Sequence, residues 1–251
     1  MRDAFDLEGP FSAVVIGARG GLGEAFLRRL LSHERVACVY ATSRDALWRQ
    51  RMTSERVIPV DLDLANEASV EDLAQRVASA SVAPRVILNC SGLLHAEALA
   101  PERSWRDLDV VQLVRLFQVN TLGVALLVKH LVPLLPRRQR SVFVTLSARV
   151  GSIEDNHLGG WYGYRASKAA SNMIIKTASI EARRRHPDLV MASLHPGTVD
   201  SDLSKPFSRR VRPEKLFSPE FSCTHLCEVI ASLNPGDSGG FFAWDGQPIP
   251  W

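Results

Sequence analysis

A chain of 251 residues and 27.7 kDa, 46% of them hydrophobic, is long enough to bury a substantial core and too apolar to remain disordered. Its 30 basic side chains nearly balance its 27 acidic ones, so a net charge of +3 spread along the chain excludes a broad cationic face for nucleic acid. Three short arginine clusters (Arg137, Arg138 and Arg140; Arg183, Arg184 and Arg185; Arg209, Arg210 and Arg212) read as solvated helix ends and loops. No apolar run approaches the roughly 18 to 20 residues that a membrane span needs. The longest, around 122–128, stops at Lys129 and His130. The first ten residues lack an apolar signal core and carry acids where a transit peptide avoids them, which points to the cytoplasm. Cys38, Cys90, Cys223 and Cys227 are too scattered for a disulfide framework. Cys223 and Cys227 lie one turn apart, but no second ligand pair follows, so no metal site is expected.

In chain order, short β-rich runs alternate with amphipathic stretches. Strands are expected at 13–16, 36–41, 57–60, 85–89, 141–146, 190–195 and 240–244. Helices are expected at 21–32, 45–51, 69–79, 105–135, 164–185 and 219–233, several opened by Ser, Asp or Pro. This alternation predicts an α/β fold: one Rossmann-type, doubly wound parallel sheet of about seven strands with helices on both faces. No repeat or linker divides the chain, so residues 1–251 read as a single domain. The stretch 196–219, rich in Pro, Ser and charge, has no period and reads as a functional loop at the substrate. The apolar tail ending in Trp251 is expected to dock, on its own domain or on a neighbouring subunit.

The first strand runs into Gly17-Ala18-Arg19-Gly20-Gly21-Leu22-Gly23 and then a helix. Glycines there permit a tight turn and the close approach of a dinucleotide pyrophosphate, which the helix N-terminus attracts. The second strand ends in Ala41-Thr42-Ser43-Arg44-Asp45, where such folds choose between a ribose 2′-hydroxyl and a 2′-phosphate. Arg44 suits the phosphate and Arg19 adds to it; Asp45 suits a hydroxyl or the cap of the next helix. The pattern favours NADP(H) over NAD(H). Further on, Tyr164 and Lys168 stand four apart at the start of a long helix and share a face. An ammonium beside a phenol favours the phenolate, so the pair can exchange a proton with a substrate oxygen nearer neutrality than the usual phenol pKa of about 10.

The order of glycine turn, Asn89-Cys90-Ser91-Gly92, Asn120, a serine-bearing fifth strand and Tyr164-x-x-x-Lys168 resembles the short-chain dehydrogenase/reductase superfamily over nearly the whole chain. The run 151–168 resembles the C-factor-like and sniffer-type carbonyl reductase group. The resemblance implies that Gly17, Gly21 and Gly23, with Arg19 and Leu22, flank the pyrophosphate. Ser43 and Arg44 would meet the ribose phosphate, and Asp63 and Leu64 would lie beside the adenine. Asn89, Ser91 and Gly92 would wall the cleft; Pro196, Gly197 and Thr198 would contact the nicotinamide amide. Tyr164 would be the general acid or base, Lys168 would bind ribose and lower the tyrosine pKa, and Asn120 would hold a proton-relaying water.

Two positions depart from that pattern. Ile16 stands where a threonine precedes the first glycine, which costs a turn hydrogen bond. Strand five ends Ser147-Ala148 where the second of two serines acts in the family. An unbulged strand is expected to turn Ser147 to the other face, so either a bulge brings Ser147 in, or Ser152 supplies the hydroxyl, or neither does. The implied activity is hydride transfer between nicotinamide and a carbonyl or alcohol, with a small molecule as partner. The alternative is a cofactor-binding regulatory protein with little turnover. Leu93, Leu94, Trp161, Leu203 and Phe207 suggest an apolar cleft, and 201–212 is expected to order over the cofactor. The long helices 105–135 and 164–185 resemble those through which family members form homodimers or homotetramers.

Overall fold

The computed structural model describes residues 4–97, 99–210 and 212–251; Met1, Arg2, Asp3, Ala98, Val211 and the side chain of Arg210, part of the third arginine cluster, lie outside the described residues. Seven parallel strands form one sheet: β1 (Phe11–Ile16), β2 (Val36–Thr42), β3 (Val57–Val60), β4 (Pro84–Asn89), β5 (Ser141–Leu146), β6 (Leu189–His195) and β9 (Gly240–Ala243). Their order is β3-β2-β1-β4-β5-β6-β9. The chain winds outward from β1 to β3, then crosses back to β4 on the other side of β1. The crevice at the C-terminal ends of β1 and β4 is thus the topological switch point, where ligands bind in sheets of this kind.

Alternation along the strands divides the core into two layers. Val15, Val86, Val144 and Ala192 pack against α1 (Gly21–Leu31) and α7 (Pro219–Ser232) through Phe26, Leu30, Leu226 and Ile230. Val14, Ile87, Phe143 and Met191 face the other way, onto α3 (Glu67–Ala78), α5 (Gly123–Leu131) and α6 (Tyr162–Arg185). Side chains cap several starts. Asp45 accepts from Trp48 N at the short helix α2 (Ala46–Gln50), Asn66 from Ala68 N at α3, and Ser218 from Phe221 N at α7. Lys129 and His130 of α5 both bond the Glu67 carboxylate of α3, and His130 Nε2 also lies 3.9 Å from Glu71. These contacts tie two helices of that layer together.

Three expectations need correction. The helix expected over 105–135 is broken: a 3-10 turn at Trp105–Asp107, capped by Ser104, is cut off by extended backbone at Leu108 and Asp109. Asp109 then caps α4 (Val110–Phe117), and a π-helical turn at Gln118–Leu122 joins α4 to α5. Second, Val110–Leu134 is long and apolar enough to cross a membrane by length and composition, with mean hydropathy 1.6, because isolated charges stop a strict apolar run without lowering the average much. In this fold it is a sheet-covering helix, although only 33% of that apolar window is buried. Third, the stretch expected to be irregular holds 3-10 turns at Lys205–Arg210 and Pro213–Lys215 and a small parallel pair, β7 (Thr198–Val199) with β8 (Leu216–Phe217). At the far edge the tail folds back on β9. Ile249 N donates to Phe241 O, Trp251 stacks on Phe241, and Trp251 O accepts from Glu154 N.

Candidate active site

The glycine turn lies at the tip of β1. Gly17 has φ +76°, and a Cβ there would lie 3.1 Å from Ser91 N; a Cβ on Gly23 would collide with Gly17 O. A side chain at either place would push the turn off β4 or α1 off the turn, which is the cradle a pyrophosphate requires. Gly20 offers α1 no side-chain cap, so the first N–H groups of the helix, around Gly21 and Leu22, remain available to an anion. Ile16 costs less than expected, because Gly17 N–H donates to Thr42 Oγ1 of the neighbouring strand at 3.2 Å.

Beside the turn, Asp45 is committed to the protein. It accepts from Trp48 N at 3.0 Å and pairs with Arg19 at 3.1 Å, and these partners hold its carboxyl below the usual range. Ser43 Oγ accepts from Asp45 N, which fixes the bend. Arg44 is exposed and lines a cleft of about 500 Å³ together with Asp63, Ala65, Val111, Val114 and Arg115. Asp63 caps its own turn through Ala65 N, whereas Leu64 is buried against Gly123. Arg44 and Asp63, 19 positions apart in the sequence, thus meet at one opening.

Asn89 ends β4 and is buried. Its Nδ2 donates to Thr145 Oγ1 of β5 at 3.0 Å, and its Oδ1 accepts from Ser91 N at 3.1 Å and from Ser91 Oγ, shaping the turn through Gly92. Asn120 sits on the π turn. Its Oδ1 accepts from Leu93 N at 2.8 Å, and its Nδ2 donates to Leu93 O at 2.8 Å and Ser167 Oγ at 3.0 Å. The side chain thereby ties the loop after β4 to α6, and both ends of the amide are taken by protein groups. π turns recur at functional sites. A Cβ on Gly92 would lie 3.6 Å from Lys168 Nζ and 4.0 Å from Asn120 Oδ1, so these three residues adjoin.

Tyr164 and Lys168 occupy the buried face of the first turns of α6. Lys168 Nζ lies 5.8 Å from the centre of the tyrosine ring and donates to Leu146 O at 2.8 Å. Burial pushes the ammonium down to about 8 and pushes the phenol up. The ammonium points at a strand carbonyl, and desolvation of the phenolate dominates the tyrosine.

Ser147 is reached without a bulge. Its N–H donates to Leu194 O, carrying the β5–β6 ladder one residue further, and alternation sets its side chain with Thr145 and Phe143 on the α6 side of the sheet. The expectation that an unbulged strand turns Ser147 away is corrected, because α6 covers that side of the sheet. Its hydroxyl is buried with no protein partner. Ala148 is extended and Ser152 Oγ is engaged with Asp155 N. Register places His195 beside Ser147, and its Nδ1 is likewise buried without a partner. After β6, Pro196 O accepts from Ser222 Oγ, and Gly197, at φ +77°, has room for no Cβ between Phe217 and Trp244. Thr198 is held in β7.

Sequence reasoning missed His195 and also Glu102. Glu102, from the loop after β4, is 3% exposed; both carboxylate oxygens lie 3.2 Å from Gly163 N, and its backbone oxygen accepts from Trp161 N at 2.6 Å. Trp161 is left-handed (φ 53°) and offers α6 no side-chain cap, so Glu102 serves as the cap from 61 residues away. The only local trace is Gly163, where a Cβ would lie 2.6 to 2.9 Å from Leu116, Leu113 and Glu102. Above Tyr164, the Trp161 ring packs edge-on against Phe207 at 5.0 Å, and Phe207 meets His95 at 5.7 Å. The segment after β7 thus lies across the tyrosine end of α6.

Comparison with known proteins agrees with this geometry. A model of the short chain dehydrogenase family matches residues 12–212. A 1-hydroxy-2-glutathionyl-2-methyl-3-butene dehydrogenase from a Rhodococcus species is 30% identical over 96% of this chain and 99% of its own. The C-signal protein of Myxococcus xanthus is 33% identical over 58% of this chain and 82% of its own. The structure of NADPH-bound carbonyl reductase from chicken fatty liver superposes with a TM-score of 0.83, at 23% identity, covering 99% of this chain and 97% of that one, a likeness of fold. With the family model spanning the sheet from β1 through α6 and into the loop beyond β7, and a relative aligned almost end to end, the chain belongs to the short-chain dehydrogenase family of oxidoreductases.

Proposed function

We propose that the chain is an NADP(H)-dependent carbonyl reductase, or the reverse alcohol dehydrogenase, with Tyr164 as general acid or base. The observation that carries this is the convergence of Tyr164, Lys168, Asn120 and Gly92 beside an uncapped glycine turn at the switch point of the sheet. Gly17, Gly21 and Gly23 would hold the pyrophosphate, Arg44 and Arg19 the 2′-phosphate, and Asp63 the adenosine side. Ser91, Gly92 and Lys168 would meet the nicotinamide half, with Pro196, Gly197 and Thr198. Asp45 is already bonded to Trp48 N and Arg19 while Arg44 stands exposed at the cleft, which supports NADP(H). When bound, the nicotinamide supplies or accepts the hydride. Tyr164 gives its proton to the nascent alkoxide oxygen, and in the reverse direction takes the alcohol proton. Ser147, with its unpartnered hydroxyl, donates a hydrogen bond to that oxygen. Asn120 positions rather than reacts: it holds Leu93 and Ser167 together. The loop over 196–219, through Phe207, closes the substrate side.

A panel of aldehydes and ketones with NADPH and NADH tests this reading. NADPH should be preferred, and Tyr164→Phe should lose about 10² to 10⁴ in kcat, the usual worth of a general acid, with the NADPH affinity kept. Turnover by Tyr164→Phe equal to wild type, or no binding of either nucleotide, sinks it. A second reading, a cofactor-binding signalling protein with little turnover, is supported by Ala148, a methyl where the family pattern has a hydroxyl. Tight NADPH binding without oxidation by any carbonyl compound supports that one.

A further inference from the structure

Two of the three arginine clusters, remote from each other in the sequence, meet in space. Arg137 and Arg138, on the turn entering β5, and Arg184 and Arg185, in the last turn of α6, line one cleft of about 540 Å³ with Pro187. They are the solvated turn and helix end that the sequence suggests, and β5 and α6 bring them together at the same edge of the fold. Among the described residues, none of the four guanidinium groups has an ion pair or a side-chain hydrogen bond. Several arginines elsewhere on the surface are paired. Arg19, Arg28, Arg35, Arg49, Arg76 and Arg149 each have a carboxylate close by, at 2.6 to 3.1 Å.

The helix dipole accounts for cations at the end of α6. It does not account for Arg137 and Arg138, which lie on a different element and bring like charge towards the same cleft. Converging positive charges repel, and a multiply charged anion removes that repulsion while gaining from all four groups. Guanidinium forks match phosphate oxygens in pairs, which a point-like ammonium does not. The cleft is also distinct from the glycine turn. Twenty residues of α6 separate Tyr164 from Arg184, about 30 Å at the helical rise of 1.5 Å per residue, and the cleft lies at the strand ends opposite the switch point.

We propose that this cleft binds a compact, multiply charged phosphate anion. Either a free polyphosphorylated molecule or the phosphorylated headgroup of a membrane lipid presents that chemistry. Calorimetric titration with sodium tripolyphosphate at low ionic strength tests it on wild type, on Arg137→Gln/Arg184→Gln and on Arg44→Gln. Apart from any tripolyphosphate held in the Arg44 cleft, the proposal expects a site on wild type that is weakened about tenfold or more in the double variant, since charged hydrogen bonds are lost, and that is unchanged in Arg44→Gln. Carbonyl reduction, where measured, should be unchanged in the double variant. Co-sedimentation of wild type, and not the double variant, with phosphatidylcholine vesicles containing phosphatidylinositol bisphosphate marks the lipid as the source; tripolyphosphate binding without co-sedimentation marks a free anion. No binding, or binding that survives the double substitution and disappears with Arg44→Gln, overturns the proposal. A short RNA that binds through the same arginines more tightly than tripolyphosphate overturns it in favour of a nucleic-acid backbone.

Discussion

Glu102 illustrates how a single side chain sets the geometry of the site. A buried carboxylate at the head of α6 takes the Gly163 N–H that Trp161, left-handed and without a capping oxygen, does not satisfy. Removing it orphans a buried donor one residue before Tyr164, a cost of about 1 to 3 kcal/mol. Glu102→Ala should therefore lower thermal stability and reduce kcat with little change in NADPH affinity, whereas Glu102→Gln, which keeps an accepting oxygen, should recover most of both. A fall in NADPH affinity equal to the fall in kcat would instead assign the residue to general folding. His195 carries a pH signature. Burial, helped by Arg149, pushes its imidazole down to about 4 from the ordinary 6.5. The unfolded chain then binds a proton that the folded chain refuses between those values, so stability is present above pH 6.5 and is lost as the pH falls towards 4. Melting curves across that window should show a steeper acid loss for wild type than for His195→Gln.

At the scale of elements, α4 and α6 present more apolar surface than their own core uses. Val110, Val111 and Val114 are exposed along α4 and Leu122 on the π turn after it, and Met173 and Ile180 along α6, which also covers the sheet. The family resemblance implies self-association through these helices, and exposed apolar faces of this kind suit such a contact. Val114→Asp should shift the molecular mass in solution to that of a monomer, read by light scattering, if wild type is a dimer or tetramer through these helices. A monomeric wild type would rule that interface out. The π turn between α4 and α5 is the element-scale feature that a period-based reading could not see. One extra residue in a turn leaves the apolar pattern nearly intact, yet it is what carries Asn120 to Leu93 and Ser167.

Across the whole molecule, the sheet order alone places the glycine turn, the Asn89 turn and the tyrosine helix around one crevice. The alternation of β and α runs, the seven strands and the two cores were readable from periodicity, because burial on both faces of a parallel sheet makes each strand a short continuous apolar run. Gly17, Tyr164 and Lys168 were readable because their chemistry depends on spacing within one or two turns of chain. What depends on distance across the fold was not readable. Glu102 caps a helix 61 positions ahead, Thr42 repairs the turn that Ile16 weakens, and Ser147 faces α6 because of which side of the sheet that helix covers. The same holds for the arginine cleft, invisible until β5 and α6 bring their ends together. Local spacing and hydrophobic period determined the class of fold and the shared helix face of Tyr164 and Lys168. Only the tertiary structure decided which distant groups share a buried or charged environment, since hydrogen bonds, desolvation and Coulomb forces act through space and not along the chain.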